Sequence, residues 1–250
     1  MSRLERFSLA AYQAFYGERA VSLGGGAVAF RVNEAPGAPM LNRVVGLGVE
    51  EPASEAVVDA GLQALAGTTH YVAVMPSARP RELTSWLEAR GLEPGVGWMQ
   101  FRRGVKDVPR ATTELELIQV DRSTAPAFAH VVRVAYALPI EVEPFLAGIT
   151  DTGWRAWLAL ADDTPAAAAA LFADGDGAYL SFAGSLPEHR RRGAQSALLA
   201  ARIRQARELG CRWVATETGE TRPDQPSHSY RNILRAGFTE QFVIANWRSG

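Results

Sequence analysis

The sequence predicts a mixed α/β fold: a six- to seven-stranded mixed sheet flanked by helices, built twice in two related halves. Three observations predict it. Short β-branched and aromatic runs alternate with stretches of helical period. Between residues 155 and 185, three strand-like runs follow one another across Asp/Gly turns, the pattern of an antiparallel meander. Finally, two helices, one in each half, end in similar words: Ala89-Arg-Gly-Leu-Glu93 and Arg235-Ala-Gly-Phe-Thr239.

In the first half, strands are expected over 28–32, 41–49, 70–75 and 98–103. Helices are expected over 54–65 and 81–90, the second stopped by Gly91. Gly24-Gly-Gly26 precedes a strand rather than a helix, so it reads as a hairpin or a flexible turn and not as a dinucleotide loop. The interval 106–113, with Lys106, Asp107, Pro109 and Arg110, is the most linker-like, which divides the chain into 1–105 and 114–250. After it come a strand over 114–120, a helix to Tyr136 capped by Ser123, and a short helix over 142–149. The meander strands 155–160, 165–173 and 178–185 follow. The chain then finishes with a helix over 193–209, a strand over 212–217, a helix over 229–236 stopped by Gly237, and a strand over 241–247.

Composition narrows the function class. Twenty-six Lys plus Arg against 27 Asp plus Glu give a net charge of −1, which offers no pull on nucleic acid or a membrane surface. The single cysteine, Cys211, excludes an internal disulfide, and no charged start followed by an apolar run marks a leader or a span. A reduced, cytoplasmic setting is expected. The four histidines are scattered without ligand spacing, so no metal is expected. Glycine-flanked serine elbows and Gly-Lys-Ser/Thr phosphate loops are absent from the sequence.

The most telling segment is Pro187-Glu-His-Arg-Arg-Arg-Gly-Ala-Gln-Ser-Ala197, which joins a strand to a helix through an Arg/Gly turn. The first amides of a helix lack carbonyl partners and carry the positive end of its dipole, so an anion near Gly193 meets several donors at once. Glycine has no Cβ to hold that anion off. The matching turn of the first half, Glu50-Glu-Pro-Ala-Ser-Glu55, is acidic and lacks glycine, and it should refuse a phosphate.

From Arg190 through Arg191, Arg192, Gly193, Ala194 and Gln195, the turn resembles the signature of the GCN5-related N-acetyltransferases: Arg or Gln, two residues, Gly, one residue, then Gly or Ala. Gln195 departs from it. Ser229 to Phe238 resembles the family's second motif, a helix closed by Gly-Phe. The likeness covers 113–250 well and the first half as a degenerate copy. It implies two strands that splay to admit acetyl-coenzyme A. The pyrophosphate would lie on the amides of Arg191, Arg192, Gly193, Ala194, Gln195 and Ser196, with charge from Arg190 and Arg192. The pantetheine arm would pair with the edge of Phe182, Ala183, Gly184, Ser185 and Leu186, and Asn232 would be a further contact.

Acetyl transfer to an amine needs a neutral nucleophile, a stabilised oxyanion and a proton for the thiolate. Family members often supply the last from a tyrosine four residues before the Gly of Gly-Phe, where this chain has Ile233. Tyr230, one turn earlier, is the substitute acid or simply a packed ring. Glu217, at the end of its strand, is the candidate general base; a solvated carboxylate or an anchor for the substrate amine fits the same position. Glu141 and Glu143 are candidates for attracting a cationic acceptor. Trp154 and Trp157 line the acceptor cleft or fill the core, and Cys211 is a small core residue or, less in keeping with its position, a nucleophile. The expected partners are acetyl-coenzyme A and an amine acceptor, with neither nucleic acid nor membrane, in a monomer or homodimer. A non-catalytic acyl-coenzyme A sensor or a partner-binding module is the competing reading. The acceptor itself, whether antibiotic, amino acid, polyamine or protein amino terminus, is set by the loops 141–151 and 218–228.

Overall fold

The protein is described from a computed structural model covering residues 3–221 and 227–250. The elements, in chain order, are α1 (Arg3–Tyr16), β1 (Ala20–Gly24), β2 (Ala27–Phe30), β3 (Arg43–Val45), α2 (Glu55–Ala64), β4 (Tyr71–Val74), α3 (Leu83–Ala89), β5 (Glu93–Pro94) and β6 (Trp98–Gly104). They continue with β7 (Glu116–Gln119), α4 (Ala125–Ala135), α5 (Glu143–Ala147), β8 (Arg155–Ala161), β9 (Thr164–Asp174), β10 (Gly177–Ser185), α6 (Ala194–Glu208), β11 (Trp213–Gly219), α7 (His228–Arg235) and β12 (Thr239–Arg248). The expected mixed α/β class is what is found. Two compact units form, one from Met1–Met99 with Phe242–Gly250 and one from Gln100–Gln241.

In the first unit the strands run β1-β2-β3-β4-β12, with β5 also on β12. The last residues of the chain complete this sheet, because Ala245 to Arg248 pair antiparallel with Val74 to Tyr71. Trp247 joins Val72, Leu83, Leu87 and Leu92 in its core. Buried Arg43 lies between the rings of Tyr12 and Trp98, 4.3 and 4.6 Å from their centroids. The triple glycine makes the expected hairpin, with all three residues at positive φ between paired β1 and β2.

Two sequence expectations fail in this unit. The strand foreseen over 41–49 shrinks to β3, since Gly46 and Gly48 take φ of +86° and +72° and turn the chain. A Cβ at Gly48 would sit 2.2 Å from the carbonyl oxygen of Arg79, so the bend is tightly packed. α1 was not foreseen. Its buried stripe of Leu4, Glu5, Ser8, Leu9, Tyr12, Phe15 and Tyr16 has helical spacing, but polar members interrupt the apolar period.

The second unit has strand order β6-β11-β10-β9-β8-β7. Its meander is as expected, with β8, β9 and β10 antiparallel and β11 parallel to β10. Residues Ala166 to Ala170, fully buried in β9, keep the centre of this sheet low, and α4 and α6 both pack against it. The expected cap Ser123 is replaced by Asp121, whose Oδ1 accepts from the amides of Ser123 and Thr124 at 2.9 and 3.0 Å. The Ser123 hydroxyl, which donates to the same oxygen at 2.7 Å, and then the amide and hydroxyl of Thr124 hold the Asp121 carboxyl down at about 2. An aspartate one turn before a helix can gather both amides, where a serine on the turn reaches neither.

The similar helix ends have the same geometry. Gly91 and Gly237 take φ of +78° and +81°, and the next amides, Leu92 and Phe238, return to the carbonyls of Leu87 and Ile233.

Gly184 is required by packing: a Cβ there would lie 2.3 Å from the Cβ of Ala135 on α4. Gly184→Ala should therefore destabilise the protein by about 1–3 kcal/mol. Urea denaturation would check this, and an unchanged midpoint would contradict it.

Candidate active site

The β10–β11 ladder covers only Gly177↔Trp213 through Leu180↔Thr216, although β10 runs on to Ser185 and β11 to Gly219. At the point where pairing stops, β10 bulges. Ser181 faces Ala170 and Gly184 faces Ala168, so Phe182 and Ala183 together oppose one residue of β9. Phe182 takes φ of +52°, and its ring is held by Trp154 and Phe128 with centroids 5.2 and 6.4 Å away. Beyond the bulge, the Leu186 amide donates to Ala166 O on β9. By strand alternation, the peptide groups of Gly184 face β9 too, and those of Ala183 and Ser185 face the β11 side, past the end of its ladder.

The Arg/Gly turn follows at once. A short 3₁₀ turn, Pro187–His189, leads to Arg191 at φ +65° and Gly193 at φ +78°, the residue that opens α6. Glycine brings no capping side chain, and among the described residues no protein acceptor meets the amides of residues 191–196. α2 contrasts with this, since Ser54 Oγ accepts from the Val57 amide at 3.3 Å. Arg190, Arg191 and Arg192 are exposed, and no carboxylate among the described residues pairs with them. Arg192 donates to His189 Nδ1. Gln195 is half-buried and Ser196 exposed on the first turn.

Gly193 has a further reason to be glycine. A Cβ would meet Thr112 O at 2.5 Å, and Thr113 Oγ1 donates to Arg192 O at 2.8 Å. The expected linker therefore lies against the turn and helps hold it open.

Glu217 stands on β11 just past the last pair with β10. Its Oε2 accepts from Gln100 Nε2 at 2.5 Å, and Gln100 Oε1 accepts from the Tyr179 hydroxyl at 3.3 Å. Gln100 and Tyr179 are fully buried, so this relay fixes the carboxylate from beneath. Neither was foreseen; the signal was a glutamine inside the otherwise apolar run Trp98-Met-Gln-Phe101.

Tyr230 is buried edge-on to Phe101, and its hydroxyl donates to Glu240 Oε1 at 2.5 Å. Burial and then this carboxylate raise the phenol to about 12. A second tyrosine, Tyr136, closes α4. Its hydroxyl donates to Ala183 O at 3.3 Å, beside the bulge. Burial lifts it to about 12; Arg202 pulls the other way, and the charge of Glu217 adds to the rise.

Other candidates are spoken for by structure. Glu143 Oε1 accepts from Arg133 Nε at 2.9 Å and lies 3.2 Å from His130 Nδ1, so much of its charge is answered within α4 and α5. Glu141 is exposed. Trp154 and Trp157 are buried core residues. Cys211 donates its thiol to Gly177 O, and burial pushes that thiol up, which suits packing and not nucleophilic attack. Asn232 is half-buried on α7, with no side-chain partner among the described residues. Residues 222–226 of the expected specificity loop lie outside the described residues. Among the described residues, no three His, Cys, Asp or Glu gather to hold a metal ion, and no helix is long and apolar enough to cross a membrane.

Residues 141–222, which span the β10–β11 pair and the start of α6, match the family model described as "Acetyltransferase (GNAT) domain". No curated protein sequence matches the chain. Among solved structures, it is similar to a GCN5-related N-acetyltransferase from Kribbella flavida (20% identity, 100% of this chain and 96% of that one, TM-score 0.67). It is also similar to one from Sphaerobacter thermophilus (15%, 96% and 84%, TM-score 0.65). A tandem GNAT protein from the clavulanic acid biosynthesis pathway shares the fold at 16% identity (89% and 78%, TM-score 0.58).

Gly193→Ala forces a left-handed residue against Thr112 O and should cost about 1–3 kcal/mol by thermal or urea denaturation without any ligand present. Tyr136 and Tyr230 should resist ionisation until about pH 12 in a spectrophotometric titration of the native protein. Because both phenols are raised above their ordinary value of 10, the unfolded chain releases these protons first. Stability should therefore fall as pH rises from about 10 through about 12. Release of all tyrosines together near pH 10 would contradict this.

Proposed function

We propose that this protein transfers acetyl from acetyl-coenzyme A to a primary amine of a small molecule or peptide by direct attack. The observation that carries the reading is the adjacency of two features: the edge of Ala183 and Ser185 past the end of the β10–β11 ladder, and the unanswered amides at the start of α6. The coenzyme's pyrophosphate suits the amides of residues 191–196, and Arg190 and Arg192 add two mobile cations. An amide-bearing arm suits the peptide groups of residues 182–186 as an added strand would. Asn232 is offered as a further contact.

Glu217 is the proposed general base, acting directly or through one water, with Gln100 and Tyr179 keeping its carboxylate in place. It takes a proton from the acceptor amine as the new C–N bond forms, and the C–S bond then breaks with its electron pair on sulfur. A thiolate of ordinary pKa, roughly 8.5, needs no dedicated acid. Tyr230 was the sequence candidate for that acid, but its hydroxyl is bonded to Glu240, so we place it as a buttress of α7. The same absence supports the second reading, a sensor that binds an acyl-coenzyme A without turnover.

The first unit is proposed as a copy of this fold without the coenzyme loop, since Ser54 caps α2 and the preceding turn is acidic. The proposed division is 1–105 and 114–250, joined through 106–113. A cytoplasmic monomer or homodimer, with no nucleic acid or membrane partner, fits the net charge of −1.

Release of free thiol from acetyl-coenzyme A across a panel of amines tests the enzyme reading. Glu217→Gln should lower kcat by roughly 10²–10⁴-fold. Arg190→Ala and Arg192→Ala should each weaken acetyl-coenzyme A binding about tenfold, with the difference shrinking at high salt. Binding without turnover, indifferent to Glu217→Gln, favours the sensor; absence of binding overturns both.

A further inference from the structure

The bulge in β10 is held from both sides, by buried Arg202 and half-buried Tyr136, which no other part of the site requires. Just before Phe182, at the pair Ala170↔Ser181, Arg202 Nη1 meets both carbonyl oxygens, at 3.1 Å on Ala170 and 3.3 Å on Ser181. Its Nε donates to Leu198 O on its own helix at 3.1 Å. Arg202 is 3% exposed on α6, and among the described residues no carboxylate pairs with it. A guanidinium is costly to bury with only carbonyls for company, so its place needs a reason beyond filling space. Just after Phe182, the Tyr136 hydroxyl donates to Ala183 O. The two carbonyls flanking the one left-handed residue of β10 are thus each held, one from α6 and one from α4.

We propose that Tyr136 and Arg202 are positioning residues for the acyl donor: by holding the carbonyls on either side of Phe182, they set the bulge whose peptide groups address the thioester. The inference rests on the reading of an acetyl-coenzyme A site given above. Arg202 also links the two parts of that site, since α6 opens at the pyrophosphate turn and reaches the bulge two turns later. A carbonyl has two acceptor lone pairs, so Ala183 O can keep its bond to Tyr136 while it receives an amide of the arm. The clamp acts on where the thioester lies, and the affinity comes from the phosphate turn. Loss of the clamp should therefore disturb the acetyl group and spare the binding constant.

The test uses acetyl-coenzyme A carrying ¹³C in its acetyl carbonyl and needs no acceptor. Binding by calorimetry and the ¹³C signal of the bound carbonyl are measured for the full chain and for Tyr136→Phe, Arg202→Met and Arg202→Lys. In the wild type, the bound carbonyl should shift from its free position, because peptide donors polarise it. In Tyr136→Phe and Arg202→Met, the shift should collapse toward the free value while the dissociation constant holds, and Arg202→Lys should restore part of it. With any reactive amine, kcat should fall roughly ten- to hundredfold in the same variants at unchanged KM for acetyl-coenzyme A. If Arg202→Met fails to fold, Tyr136→Phe, which loses one oxygen, decides alone. A wild-type carbonyl shift in Tyr136→Phe overturns the inference and leaves the acetyl-coenzyme A reading standing. No binding by the wild type overturns both.

Discussion

Four residue pairs hold β10 to β11, and past Leu180↔Thr216 the two parallel strands go on without pairing. Separating strands inside a sheet exposes peptide groups that want partners, and a chain tolerates this only where something else fixes the backbone. Here the fixing is done from the far side. β9 keeps pairing with β10 past the bulge to Ser185↔Ala167, and its alanine run lets two helices come close enough to brace the bulge. Gly184 against Ala135 is the visible result of that close approach. A larger residue at either position would push α4 away, and with it the hydroxyl that meets Ala183 O.

The second constraint is electrostatic and lies at the start of α6. Most helix starts in a folded protein answer their own amides, as Ser54 does for α2. At α6, the left-handed Arg191 and Gly193 aim the amides outward, and the residue at the cap has no side chain to turn back on them. Three exposed arginines with no carboxylate among the described residues raise the local positive potential further. Left alone, such a cluster repels itself. The proposed diphosphate would relieve the repulsion and answer the amides in one event.

Much of the second unit was legible because local chemistry and tertiary demand coincide there. The meander was readable from its Asp/Gly turns, and the helix ends from Gly91 and Gly237, which do what glycine after a helix ordinarily does. The start of α6 was readable because Gly193 takes there the left-handed φ that glycine allows. What stayed hidden depends on residues distant in sequence. Gln100 and Glu217 meet across more than a hundred residues, and no spacing rule connects them. Tyr136 looked like the end of a helix, and Arg202 looked like one more arginine in a chain that has many. Their roles arise only when β10 bulges between them, and a bulge without glycine at its left-handed residue, here Phe182, leaves no mark in the sequence.

The residues of the site separate into those the fold needs and those it does not, and the functional reading should rest on the second group. Gly193 is explained without any ligand, by its left-handed φ and by Thr112 O behind it, so its presence argues weakly for a phosphate. Gly184 is likewise explained by Ala135. Arg190 and Arg191 make no contact that holds the structure together, and Glu217 is kept half-buried by a buried amide although a methionine at that strand end would pack more cheaply. Tyr136 and Arg202 brace a distortion that an unbulged strand would not contain. The fold by itself gives these groups no task in these places, and the proposed acyl donor and amine would give each of them one.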